Sequence, residues 1–254
     1  MRFSSLDQLF ACPGYTSIER NVKAEDEQFP NAQASRAWGT MLHTWKETGK
    51  IIHPEGDKRE EKLLGNRIWK SVKNRREQKI LNTDYWPTGG FHELKIAYNW
   101  REQYSEISFH DEPEFHKQFR DDDDWITGTV DFVLETEGKL RVSDLKTGKW
   151  WNKAPTESKQ IMGYGLGIFA SQSWPIYTEM ELEVVHWPKY PAKEPPKVAR
   201  EDISTEGLVQ FGKQVQQKME ARGQEFNPSV DNCRFCPGRF NCMFAVKEEN
   251  TYGI

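Results

Sequence analysis

The 254-residue chain is predicted to fold as an α/β protein. Stretches of strict alternation, which suit strands, are interleaved with stretches of helical spacing. Ten Trp and an aromatic content of 13% supply bulk for a packed core and argue against disorder, although 29% of residues are charged. The length suits one large or two small domains. No repeat or low-complexity segment divides the chain, and the Pro-rich stretch 188–196 reads as a loop because too little follows it for a second core. One domain over 1–254 is expected.

The first helix is expected at 35–48, where Trp38, Met41, Leu42 and Trp45 recur at i, i+3, i+4 and i+7. His43 lies off that apolar stripe, and Gly39 stands one turn before it on the same side. A strand follows at 125–134, with Ile126, Gly128, Val130, Phe132 and Leu134 on one face and Thr129, Asp131 and Val133 on the other. A second strand at 139–146 puts Leu140, Val142, Asp144 and Lys146 on one face, and Gly138 makes the two a hairpin. Residues 160–170 read as a helix despite Gly163, Gly165 and Gly167. Each glycine costs about 1 kcal/mol relative to Ala in a helix, so a neighbour must pack closely there. A third strand is expected at 180–187. A last helix, about 205–222, carries Leu208, Phe211, Val215 and Met219 on one stripe.

Charge and hydropathy narrow the classes. The net charge is −4, which does not suggest a polyanion coat, although a local basic stripe can bind nucleic acid. Residues 58–79 form such a stripe, with nine Lys/Arg against three Glu. Nearby Trp69, Tyr85 and Trp86 suit either stacking against unpaired bases or a place in the core. No apolar run reaches the ~18 residues of a membrane helix, and MRFSSLDQLFACPG lacks the apolar stretch of a secretory signal, so a cytoplasmic protein is expected.

The four cysteines are Cys12, Cys233, Cys236 and Cys242, the last three spaced C-x2-C-x5-C. In a reducing compartment such spacing points to metal rather than disulfides. Pro237-Gly238 supplies the bend, and Cys12 as fourth ligand would bring the two ends of the chain together. Zinc and a four-iron cluster both accept four thiolates, and spacing alone leaves both open.

Asp144 and Lys146 project in parallel from one strand, about 6.6–6.8 Å apart at Cα, with Asp131 on the adjacent strand. Two carboxylates converging with an ammonium are costly to bury unless paired or holding a cation. Hard oxygen donors suit Mg²⁺ or Mn²⁺. Gln160 and Tyr164 share a helix face.

Gly39-x3-His43, Gly128-x2-Asp131, Asp144-Leu-Lys146-Thr-Gly148 and Gln160-x3-Tyr164 occur in this order. Together they resemble the PD-(D/E)xK nucleases of the RecB-like branch. With Cys12-Pro13 in front and C-x2-C-x5-C behind, the chain resembles the iron–sulfur subset of that branch, which includes the CRISPR-associated RecB-like exonucleases and the AddB nuclease domain. The likeness runs from residue 4 to about 245. It implies a restriction-endonuclease-like core at about 30–222, with a mixed central sheet flanked by helices. An iron–sulfur cap from 1–20 and 223–245 would close it through a 4Fe-4S cluster on the four cysteines.

The resemblance also implies that His43, Asp131, Asp144 and the Leu145 carbonyl hold Mg²⁺ or Mn²⁺. Lys146 would be the catalytic lysine, with Gln160 and Tyr164 supporting the site and contacting DNA. The implied activity is a metal-dependent deoxyribonuclease, an exonuclease on single-stranded or frayed DNA, with or without endonuclease activity. Its setting would be recombination, repair, viral DNA metabolism or CRISPR adaptation, beside a recombination, helicase or CRISPR integrase partner. No G-x4-G-K-[ST] loop is present in these 254 residues, so no helicase motor is expected within them. Residues 91–124 depart from the pattern. Glu93 opens a strand there and is read as structural rather than as part of the site, and Asp121–Asp124 as a solvated loop. The rival readings are a catalytically degenerate DNA-binding module and a zinc-stabilised interaction protein.

Overall fold

Gly138, at φ +82°, turns the chain between two strands whose bounds match the alternation closely. The computed structural model describes residues 1–18, 89–109, 112, 114–136, 138–146, 153–174, 179–186, 197–234 and 236–246. The expected helix at 35–48 with His43, the basic stripe at 58–79, Gly148 and the Pro-rich stretch lie outside them. Six strands form one sheet: β1 (Phe91–Asn99), β2 (Tyr104–Ser108), β3 (Trp125–Thr136), β4 (Lys139–Lys146), β5 (Glu179–His186) and β6 (Lys197–Ser204). Their order is β2-β1-β3-β4-β5-β6. Of these six described strands only β4 and β5 pair in parallel, so the sheet is mixed, as the resemblance implies. Parallel neighbours need a crossover, and the glycine-bearing helix α2 (Lys159–Ala170) lies between them in sequence, after the short helix α1 (Leu6–Ala11).

The three glycines of α2 meet the close neighbours that their cost implied. A Cβ on Gly163 would stand 2.5 Å from Phe3 and 2.7 Å from Leu6, and one on Gly167 would stand 2.7 Å from Ile96. Phe3, Leu6 and Leu9, from the first residues of the chain, are fully buried in the main core beside β1, β3, β4, β5 and α2. Helix α3 (Thr205–Glu220) closes that core with Leu208, Phe211, Val215 and Met219. It begins where Ser204 Oγ accepts the Gly207 N–H, a helix cap.

Strands β2 and β6 carry no clean alternation and were not expected from sequence. Both are edges of the sheet, where one side of the strand lacks a neighbour and polar residues are tolerated. Strand β6 pairs with β5 along its whole length, from Glu179 opposite Ser204 to His186 opposite Lys197, and charge adds to that ladder. Arg200 Nε donates to Glu183 Oε2 at 2.6 Å, and Ser143 Oγ donates to Glu183 Oε1 at 2.7 Å. Those bonds satisfy a carboxylate that is only 1% exposed. The Asp121–Asp124 run is mostly exposed, as expected, and ties to Arg222 and Arg101 through Asp123 and Asp124. Among the described residues no helix is long and apolar enough to cross a membrane.

Candidate active site

The sheet itself brings the acidic residues together. The β3–β4 ladder ends at Phe132 opposite Ser143, so one step further Asp131 faces Asp144 by register. There the strands part, and the Leu145 N–H donates to Asp131 Oδ2 at 2.5 Å. On the other side of β3, the ladder with β1 pairs His92 with Phe132 and Leu94 with Val130 but skips the step between them. That step sets Glu93 opposite Asp131, with Glu93 at φ +50°. Left-handed backbone costs a non-glycine residue about 1–2 kcal/mol. Strain of this kind gathers at functional sites. Glu93, Asp131 and Asp144 thus form a row across three neighbouring strands.

Helix α2 supplies the polar partners from its first two turns. Gln160 Oε1 accepts from Lys146 Nζ at 2.8 Å, and its amide donates to Tyr164 Oη at 2.8 Å and Asp144 Oδ1 at 3.3 Å. Lys146 Nζ also lies 2.7 Å from Asp144 Oδ2. That oxygen is buried, and the Lys146 ammonium is the charge that compensates it. Asp144 is only 3% exposed. Burial, and then the charges of Asp144, Asp131 and Glu93, push the Tyr164 hydroxyl well above the usual tyrosine range, so it stays neutral and protonated. The involvement of Glu93 in that field joins it electrically to the site. No local sequence pattern marks Glu93 as a site residue, because its position across from Asp131 is a matter of register. Phe3 closes the floor, edge-on to Tyr164 at 5.4 Å between ring centres. It lies where Gly128 leaves room, since a Cβ there would stand 2.8 Å from the Phe3 ring.

The four cysteines line one small cavity of about 20 Å³, together with Tyr15, Phe226 and Phe244. Each cysteine carbonyl opens a tight turn, accepting from the N–H of Tyr15, Cys236, Arg239 or Ala245. The Asn227 N–H points at Cys12 Sγ, 3.4 Å away. Burial, and then the neighbouring Cys12, Cys233 and Cys242, push the Cys236 thiol up. The ends of the described chain are stitched beside the cavity. Gly14 N–H donates to the Glu225 carbonyl at 2.6 Å and Gly223 N–H to the Pro13 carbonyl at 3.1 Å. Four thiol donors around one cavity fit a thiolate-held group in kind and number. Among the described residues, however, no three His, Cys, Asp or Glu side chains stand close enough to share a metal ion, here or at the carboxylates.

A family model described as the PD-(D/E)XK nuclease superfamily matches residues 3–243. No curated protein matches the chain. Among solved structures, one titled "Crystal structure of SSO0001" aligns over 82% of this chain and 98% of its own, at 11% identity and a TM-score of 0.35.

Proposed function

The chain belongs to the PD-(D/E)XK nuclease superfamily, and from that premise we propose that it is a metal-dependent deoxyribonuclease, an exonuclease preferring single-stranded or frayed DNA. The observation that carries this reading is Lys146, whose ammonium is held between Asp144 and Gln160 where β3 and β4 part. Asp131, Asp144, the Leu145 carbonyl and His43 would hold Mg²⁺ or Mn²⁺. The chemistry such a cation supplies when bound is charge compensation for the phosphate and a water of lowered pKa. Lys146 sets a compact positive charge at the reacting phosphate and orients the attacking water. Gln160 fixes the direction of that ammonium and keeps Asp144 turned into the site. Tyr164, held neutral, anchors Gln160 without adding to the negative charge of Glu93, Asp131 and Asp144. The four cysteines are assigned a 4Fe-4S cluster that closes the chain ends, on the strength of their shared cavity and their spacing.

The test is an end-labelled single-stranded oligonucleotide incubated with wild type, Asp144→Ala and Lys146→Ala, with and without Mg²⁺ or Mn²⁺. Wild type should degrade it only with metal. Both variants should lose about 10²–10⁴-fold in rate while retaining most DNA binding, which rests on phosphate contacts and weakens with salt. Undiminished cleavage by Lys146→Ala defeats the assigned role, and no cleavage by wild type with any divalent ion turns the reading to a DNA-binding module.

A further inference from the structure

A cavity of about 500 Å³ lies away from the carboxylates, between α2, α3 and the sheet. Leu140, Leu166, Met180 and Leu208 line it and are all buried, while Gln103 and Gln172 stand exposed at its rim. None of its lining side chains carries a charge. Tyr98 also lines it, at 1% exposure, and its hydroxyl has no hydrogen-bond partner among the described residues. Gly212 leaves room beside that hydroxyl, since a Cβ there would stand 3.4 Å from both Tyr98 Oη and Leu166.

An apolar floor, a polar rim and one inward polar group are the anatomy of a small-molecule site, and the volume falls in the usual range of such sites. Buried hydroxyls are nearly always paired. Besides Tyr98, polar side chains reach the space from Thr205 and Trp174 and, at the rim, from Gln103 and Gln172. Burial pushes the Tyr98 phenol up to about 12, so it keeps its proton and can donate it. We infer that this cavity binds a neutral amphipathic small molecule, its apolar body against Leu140, Leu166 and Met180 and a hydrogen-bond acceptor on Tyr98 Oη. An anionic ligand is disfavoured because no cation lines the space. The inference stands independently of the nuclease reading, although α2 serves both places: Gln160 and Tyr164 brace the carboxylates, and Leu166, Ile168 and Phe169 wall the cavity.

The probe for the test is prodan, a neutral naphthalene bearing one ketone, titrated into the purified full chain. Its emission should rise and shift to the blue, and the melting temperature should rise with its concentration. Tyr98→Phe should weaken prodan about fivefold, the worth of one neutral hydrogen bond. The same variant should leave 2-dimethylaminonaphthalene, which lacks the ketone, unaffected. Gly212→Leu, which fills the space from α3, should abolish binding of both. The inference is overturned if wild type binds neither probe, or if Tyr98→Phe weakens both equally. It also fails if a folded Gly212→Leu binds as wild type does; should that variant not fold, the Tyr98→Phe comparison decides alone.

Discussion

Glu93 shows how much one residue's backbone can say. A glutamate at φ +50° in a strand is held against its own preference, and glycine at that position would release about 1 kcal/mol of it. Its charge reaches Tyr164 alongside those of Asp131 and Asp144. Glu93→Gly is therefore expected to raise stability by about 1 kcal/mol while lowering metal-dependent cleavage, whereas Glu93→Gln should lower cleavage with the strain left in place. Thermal melts and the oligonucleotide assay on the two variants separate these effects. Full cleavage by both would remove Glu93 from the site. Asp144, Lys146, Gln160 and Tyr164 were legible from spacing, because i, i+2 on a strand and i, i+4 on a helix fix which side chains project together. Glu93 was not, since its partner lies across a ladder between segments about 40 residues apart in the chain.

At the scale of elements, α2 and α3 use glycine for opposite reasons. Gly163 is pressed between Phe3 and Leu6, with 2.5 Å and 2.7 Å to where a Cβ would stand. Gly212 has only ordinary contacts at 3.4 Å or more. Alanine gains about 1 kcal/mol in helix propensity at either place, but overpacking at Gly163 costs about 1–3 kcal/mol and displaces Phe3 from beneath Tyr164. Gly163→Ala should therefore lower the melting temperature and Gly212→Ala raise it, in denaturation curves of the two variants. Equal shifts of the same sign would mean that the Phe3 plug yields freely. The edges illustrate the reverse problem: β4 and β5, flanked on both sides, announce themselves by apolar alternation, whereas β6 is held by its backbone ladder to β5 and by Arg200 on Glu183, neither of which leaves an apolar period to read.

For the whole molecule, the ends of the described chain meet at the cysteines. If Cys12 shares a cluster with Cys233, Cys236 and Cys242, Cys12→Ala should destabilise the protein nearly as much as Cys236→Ala. Protein purified without oxygen should then be brown and carry iron and sulfide. Stoichiometric zinc in colourless protein would replace the cluster, and an unchanged melting temperature in Cys12→Ala would remove Cys12 from the ligand set. Alkali tests the core independently. Tyr98, pushed up to about 12 by burial, and Tyr164, pushed up by burial and then by the nearby carboxylates, hold their protons more tightly folded than unfolded. The stability they confer is complete below the ordinary tyrosine value of about 10, and the share from Tyr98 is lost as pH climbs through about 12. Unfolding followed by circular dichroism should coincide with tyrosinate absorbance in that window; ionisation well before unfolding would contradict the burial of these two phenols.

The sequence by itself determined the β3–β4 hairpin, helices α2 and α3, the order of the site motifs and the cysteine spacing, because periodicity and turn chemistry act over a few residues. Even the close packing around α2 was legible, from the cost of its glycines. Only the tertiary structure decided that Glu93 stands opposite Asp131, that Phe3 closes the site floor from the first residues of the chain, and that a cavity opens beneath α2 and α3. Each of these depends on which distant segments pair and in what register. That choice is made by the packing of the whole core, where no single stretch of sequence holds both partners.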